Sequence, residues 1–493
     1  MTRTGGEEPS LDSTTIYSRR ADDRAEPVLP ACRLERVFAR PARDWTVDDL
    51  AGLVKAQGIR IVSLMHVGSD GWLKTLDFVP RSEAHLRDVI EGGERADGSN
   101  IFAGTGIRAG ASDILLRPRL ASAFLDPFSK VPALVLLCSH AGRDGEPLPE
   151  SPDTIVRAAY ERVRRELGLE LHALGEVEYF LAKRASEEDF YGDDDRGYHA
   201  SSPFVFGEKL RRAALTLLAD IGVPIKYGHS EVGYIPASES DESIWEQHEI
   251  ELALAPLPDA AEAVVLTQWV LRNLAHQAGM RASFDPIMRR GHAGSGLHFH
   301  FSPVQDGVHL GGRDAAGRLP DPARWLIAGL VRHGGALMAF GNRVEGSFVR
   351  LTQGKEAPTS VTWGEFDRHA LVRLPIVATA PDGRRVASPT IEFRLPDGSA
   401  HPHLLLAGVA QALVSGSETP DLEALLERTA AARAPREAGG VSGLPRSRRE
   451  IADALVSARA MLDAGGVFPE RMLAAVIAGI ADPPPAAIVA GRD

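Results

Sequence analysis

The chain holds 493 residues, 44% of them hydrophobic, enough to bury one large core or two; length alone suggests about two to four domains. Lys and Arg total 55 against 67 Asp and Glu, and the net charge of −12 argues against an unaided binder of nucleic acid or of an anionic membrane surface. Cys32 and Cys138 give neither metal-type spacing nor a disulfide framework, which points to a reducing, cytoplasmic setting. The aliphatic runs Val131–Cys138 and Met472–Ile480 are too short to span a bilayer, and Met1–Val28 lacks the apolar core of a secretory signal.

Residues 1–30 carry too few apolar side chains to offset the entropy of ordering and are expected to form a disordered tail. A compact α+β module is expected over 31–146. It opens with a helix over Thr46–Gln57, capped by Thr46, with Leu50, Leu53 and Val54 on one side. A strand over Ile59–Leu64 follows, and the module closes near the turn Gly142-Arg-Asp-Gly145. Residues 147–493 are expected to form a larger unit of strands and helices. Its first helix runs over Thr154–Leu167 after the start signal Ser151-Pro-Asp153, and Asp259–Ala278 is a second, with Ala263, Leu266, Val270 and Leu274 near helical spacing. Ala430–Arg449, rich in Ala, Arg, Gly and Pro, reads as an exposed connection before a final helix over Arg449–Ala464.

Three distant stretches place charged or metal-ligating residues two positions apart in strand-like context: Glu176-Val-Glu178, His298-Phe-His300 and Glu392-Phe-Arg394. Strand side chains alternate between faces, so each pair projects to one side while Val177, Phe299 and Phe393 pack behind. Ionised groups on one buried face are costly unless metals or opposite charges neutralise them, which predicts a metal-filled cleft. Taken singly, a strand glutamate is commonly just exposed and a histidine such as His298 just a satisfied core residue. Gly294-Ser-Gly296 directly before His298 adds room for close backbone approach to a ligand. Glu176, Glu178, Glu231, Glu249, His298 and Glu392 together could serve two Mg²⁺ or Mn²⁺ ions, since carboxylates are hard ligands and one imidazole tolerates Mn²⁺.

Gly175-Glu-Val-Glu-Tyr-Phe180, His229-Ser-Glu-Val232, Gln247-His-Glu249, Gly294-Ser-Gly-Leu-His-Phe-His300, Arg350-Leu-Thr-Gln-Gly-Lys-Glu-Ala-Pro358 and Ile391-Glu-Phe-Arg-Leu-Pro-Asp397 follow one another in an order that resembles the glutamine synthetase family over roughly residues 45–430. The resemblance implies a small β-grasp-like amino-terminal domain and a large catalytic domain on a curved antiparallel sheet, of the type shared with guanido kinases. It also implies a homo-oligomer of ring shape, commonly two stacked hexamers, with active sites between neighbouring subunits. By the same resemblance Glu178, Glu231 and Glu249 match one metal site, and Glu176, His298 and Glu392 match the ATP-bridging one. Arg350 and Arg394 match the arginines that hold the amino-acid carboxylate and the transferring phosphoryl group; Arg368 and Arg373 match further phosphate contacts, and His300 a histidine near the nucleotide. Gly294 lies in the substrate loop, and Glu356 matches a flap glutamate that closes the site and accepts a proton from the attacking amine.

Departures bear on substrate. Ala293 stands where an asparagine is usual, beside the α-amino end of the acid, and Thr390 replaces a usual arginine. The family's ammonium aspartate is sought near residues 63–74, where only His66 or Asp70 is on offer. Glu239, in the acidic insertion Ser238–Ser243, rivals Glu249, which is preferred because Glu249-Ile-Glu-Leu252 continues as a strand. No tyrosine follows Tyr234, so the carboxy-terminal tyrosine that some relatives adenylylate is absent. The reading is an ATP-dependent ligase that activates a carboxylate, the γ-carboxyl of glutamate, as an acyl phosphate and joins it to an amine other than ammonia, with Trp72 and Tyr234 as candidate walls for that amine. An ordinary glutamine synthetase, a catalytically silent regulatory or assembly protein and a phosphagen-kinase-like phosphotransferase are the rivals.

Overall fold

The computed structural model describes residues 31–105, 107, 112–186, 195–353, 355–431 and 443–482. The tail expected over 1–30 and residues 432–442 of the expected connection lie outside the described residues.

The first sheet comprises β1 (Ile61–Val67), β2 (Leu73–Phe78), β3 (Glu94–Asp97), β4 (Asp113–Pro118), β5 (Phe124–Leu125) and β6 (Ala133–Ala141). Its order is β2-β1-β6-β4-β3, with β5 beside β6, and β1 runs parallel to β6 so that Val62 faces Leu134 and Leu64 faces Leu136. These four pack with Leu50, Leu53 and Val54 of the helix Val47–Ala56 and with Leu86, Val89 and Ile90 of the helix Glu83–Gly92. The alternate residues Met65, Val135 and Leu137 point the other way and join the core of the larger half. Thr46 caps its helix as expected, in a reciprocal capping box with Asp49.

The second sheet comprises β7 (Glu170–Arg184), β8 (Ile225–Ile235), β9 (Ser243–Leu252), β10 (Ala255–Pro256), β11 (Arg281–Ser283), β12 (Leu297–Gln305), β13 (Val308–His309), β14 (Ser360–Glu365), β15 (Ala370–Leu374) and β16 (Ile391–Phe393). The order is β14-β15-β16-β12-β7-β9-β8, and every pairing but β14–β15 is antiparallel. Val177, Ile250, Phe299, Val372 and Phe393 are buried on its back face, in one core with the helices Leu257–Gln277, Asp321–Gly341 and Pro402–Ser417. The last two helices touch backbone to backbone. A Cβ on Gly329 would stand 2.0 Å from the Ala412 carbonyl oxygen, and one on Gly416 1.9 Å from that of Trp325.

The helix expected over Thr154–Leu167 spans Pro152–Leu167, and that expected over Asp259–Ala278 spans Leu257–Gln277. β1 starts later than the expected Ile59, because Ile59 N–H still closes the preceding helix on the Val54 carbonyl. The expected single final helix is corrected to Arg448–Ser457 and Arg459–Asp463, followed by a further helix, Glu470–Ala481. Gly465 and Gly466, both at positive φ, turn the chain between them. The start of the expected exposed connection is instead tied down, with Ala431 N–H donating to the Trp363 carbonyl. Among the described residues no helix is long and apolar enough to cross a membrane.

Candidate active site

Strand register, more than any loop, assembles the front face of the second sheet. Across β7 and β12, Glu176 faces His298; across β12 and β16, His300 faces Glu392, which in turn faces Arg373 on β15. On the other side Glu178 faces Glu249 on β9, and Glu249 faces His229 on β8. Directly opposed residues of an antiparallel pair share a face, so side chains far apart in sequence line one cleft of about 780 Å³.

Two groups of three stand within metal-binding reach, their ligand atoms all within 4.8 Å of one another: Glu176, His298 and Glu392, and His229, Glu231 and Glu249. A third group, Glu176, Glu249 and Glu251, overlaps both. Glu178 lies between them: one oxygen accepts from Gln247 Nε2 (2.8 Å) and Gly296 N (2.9 Å), while the other stands 3.9 Å from His298 Nδ1. His229 and Glu251 were not singled out from the sequence as site residues. The spacing of His229 from Glu231 repeats the same-face pattern that marks Glu176 and Glu178, and Glu251 sits two places after Glu249, so the signal was there. Glu249 is buried in the cleft, whereas its rival Glu239 sits on an exposed turn outside it.

The electrostatics describe a face with surplus negative charge. Burial, then the Glu231 carboxylate, pushes Glu178 up to about 8. Burial and the neighbouring Glu176, Glu178 and Glu231 carry Glu249 well above the usual carboxylate range, and burial raises Glu231. Burial acts on Glu176 too, but the imidazoles of His300 and His298 outweigh it and hold that carboxyl well below its ordinary value. Glu392 is likewise buried, and Arg394 more than compensates. Burial, aided by Arg394, presses His298 down to about 4, which leaves its ring neutral and fit to ligate. Hard oxygen donors whose ionisation is resisted by one another, with a neutral imidazole among them, fit a divalent cation of the Mg²⁺ or Mn²⁺ kind.

The arginines close the other wall. Arg394 pairs with Glu392, donates from Nε to the Arg368 carbonyl (3.0 Å) and from a terminal nitrogen to the Glu356 carbonyl (2.8 Å). Arg373 reaches the other Glu392 oxygen at 2.6 Å, and Arg368 reaches the Glu356 carboxylate at 3.0 Å. Arg350, in the last turn of the helix Glu345–Thr352, donates to the Leu395 carbonyl (2.9 Å) and stands 3.1 Å from His298 Nε2. His300 stands 3.0 Å from Glu176 and 2.9 Å from the Thr390 hydroxyl, so the threonine in the arginine's usual place is engaged by a histidine. Gly294 offers its carbonyl to Gln247 Nε2 (3.0 Å), and a Cβ there would lie 2.7 Å from the Pro286 carbonyl oxygen and 3.3 Å from Arg350 Cγ.

The region searched for an ammonium aspartate is used otherwise. His66 is buried against His140 at 3.1 Å, and Asp70 pairs with Lys74 at 2.7 Å. The Asp70 turn is bound to its own chain's larger half, with Arg343 donating to the Asp70 carbonyl (2.9 Å) and His401 Nε2 on the Gly68 carbonyl (3.1 Å). The Arg272 guanidinium lies over the exposed Trp72 ring, 4.5 Å from its centroid, and away from this chain's own cleft; Tyr234 is buried outside that cleft, and that expected wall is corrected. Tyr198, stacked on His199, and Tyr227 line it instead. An exposed carboxylate passed over in the sequence, Asp97, ends the edge strand β3, held by Ser99 N–H (2.9 Å) and hydroxyl (2.7 Å).

Residues 149–479 match the family profile for the glutamine synthetase catalytic domain. The chain is 31% identical over 388 residues to a glutamine synthetase of Thermus thermophilus, covering 76% of this chain and 80% of that one. It is 29% identical over 472 residues to a 3-hydroxylaminophenol mutase of Cupriavidus pinatubonensis, covering 88% and 94%. Its fold overlays a cryo-EM structure of Plasmodium falciparum glutamine synthetase with a TM-score of 0.73 at 19% identity, over 88% of this chain and 95% of that one. With the ordered motifs on one sheet face and a profile match over most of its length, the chain belongs to the glutamine synthetase family.

Proposed function

We propose that the protein is an ATP- and divalent-metal-dependent carboxylate–amine ligase acting on the γ-carboxyl of glutamate. The observation that carries this reading is the convergence of two cation-binding groups, Arg350, Arg368, Arg373, Arg394 and Glu356 in one cleft. Glu176, His298 and Glu392 would hold one Mg²⁺ or Mn²⁺, and Glu178, Glu231 and Glu249, helped by His229, the other. A divalent ion there supplies charge neutralisation for a transferring phosphoryl group. Arg368 and Arg373, with His300 nearby, face the phosphates of ATP, while Arg350 and Gly294 bound the acid's site. A γ-carboxylate oxygen attacks the terminal phosphorus, ADP leaves, and Arg394 and Arg373 spread the charge. The amine nitrogen then attacks the carbonyl carbon, phosphate departs, and Glu356 takes the proton.

For the acceptor we favour an organic amine over ammonia. The support is that Asp70 is spent on Lys74, while Tyr198 and Tyr227 present aromatic walls in the cleft. Ammonia is the second reading, favoured by Asp97, an exposed, rigidly held carboxylate that a neighbouring subunit could receive in a ring-shaped homo-oligomer. The deciding measurement is coupled ADP release with glutamate and ATP saturating, comparing kcat/KM for ammonium with alkylamines, polyamines, hydrazines and amino acids. An organic amine at least about tenfold better than ammonium is expected. Ammonium in first place, with its use abolished in Asp97→Ala, would establish the second reading, and no ADP release with any pair would identify a silent scaffold. Light scattering is expected to show an oligomer; a fully active monomer would end the shared-site assembly.

A further inference from the structure

Glu356 acts only if the segment carrying it stays over the cleft. Its backbone is in the left-handed region at φ +46°, uncommon for a residue with a side chain, so neighbouring contacts have to hold it. Arg394 holds its carbonyl and Arg368 its carboxylate. Three residues earlier, the Gln353 side-chain oxygen accepts from Gly291 N–H at 2.7 Å. The neighbouring Lys355 places Nζ 2.7 Å from Asp195 Oδ2. Asp195 is itself mostly buried and fixed: the same oxygen accepts from Ala293 N–H (3.0 Å), and Oδ1 is 3.4 Å from Tyr234 N on β8. Position 293 is where the sequence loses a usual asparagine. An anchored carboxylate contributed from the far side of the cleft meets the backbone there and reaches on to the lysine beside the proton acceptor.

We infer that Asp195 and Lys355 are a positioning pair that clamps the Glu356 segment shut and so protects the acyl phosphate from water. The inference rests on the ligase reading above. If the clamp opens, water oxygen attacks the acyl carbon, the bond to the phosphate oxygen breaks, phosphate leaves and the free acid returns. ATP is then consumed with no amide formed. The ion pair is part-exposed, so it is screened by salt and biases the closed state without welding it.

The experiment measures amide formed per ADP released, with the preferred amine. In the wild type the ratio is expected near one; in Lys355→Met and Asp195→Asn the fraction of ADP released without amide is expected to rise about three- to fivefold, the range open to one such tie. Asp195→Asn keeps an acceptor for Ala293 N–H, so a loss there reports the charge and not the loop. High salt is expected to lower the wild-type ratio and leave the variants unmoved, and the exchange Lys355→Asp with Asp195→Lys to restore part of it. Folded single variants with unchanged ratios would overturn the clamp while the ligase reading stands. A wild type that releases no ADP with any acid and amine would instead overturn the ligase reading.

Discussion

Glu178 shows how little a residue's identity says without its neighbours. On an exposed strand it would be an ordinary acid; here burial and the carboxylates of Glu231 and Glu176 lift it to about 8. Glu392, as deeply buried, goes the other way because Arg394, and after it the imidazoles of His300 and His298, outweigh the burial. Carboxylates so placed hold cations, and removing one leaves an ion under-coordinated and phosphoryl charge uncompensated. Glu178→Ala and Glu392→Ala are each expected to lower kcat roughly a thousandfold, several kcal/mol of barrier. Turnover within about tenfold of wild type in a folded variant, read in the ADP-release assay, would remove that residue from the site.

At the scale of elements, alternation on β7 and β12 was legible because it is local: Glu176 and Glu178, or His298 and His300, share a face by strand geometry alone. Which strands lie side by side is not local. That His229 joins Glu231 and Glu249, while Trp72 packs on Arg272 outside the cleft, follows from pairing between distant segments. The helix crossing behind the sheet makes a similar point. Gly329 reads as a helix-weakening residue, yet its missing Cβ lets Asp321–Gly341 rest on Pro402–Ser417. Gly329→Ala gains helix propensity of about 1 kcal/mol and meets the Ala412 carbonyl, and overpacking of about 1–3 kcal/mol is expected to win. Urea denaturation should show a lower midpoint; an equal or higher one would mean the helices part without cost.

At the scale of the whole molecule, the two halves meet on a buried polar seam. His140 reaches Ser151 (2.8 Å) at the start of the helix Pro152–Leu167 and His66 (3.1 Å) on β1. Arg119, Asp153 and His403 face His140, and Lys74 and Asp70 face His66. Burial presses His140 down to about 3 and His66 to about 4, both below the ordinary 6.5. Their contribution is therefore intact above about pH 6.5 and lost as pH falls below it, on the order of 2 kcal/mol for each histidine between pH 7 and 5. Glu178, with its raised value, acts in the opposite sense over the same range, so the comparison has to be between variants. His140→Gln, which keeps a polar partner for Ser151, is expected to lose less stability than wild type between pH 7 and 5. Equal losses in denaturant titrations at the two pH values would show that the seam does not titrate.

What the sequence determined by itself was whatever depends on near neighbours along the chain: the capping box at Thr46, the helices at Pro152–Leu167 and Leu257–Gln277, the same-face pairs, and the ordered motifs that mark the family. Spacing of two on a strand put Glu176 with Glu178, His298 with His300 and Glu392 with Arg394 on shared faces, while Glu231 and Glu249 came only with the ordered motifs. The tertiary structure alone decided which faces meet. It turned Asp70 and Trp72 onto their own chain, brought Tyr198 and Tyr227 to the cleft, and delivered Asp195 to Lys355 across 160 positions. Strand register and domain packing set these contacts, and both are minimised over the whole chain, so no local stretch of sequence carries them.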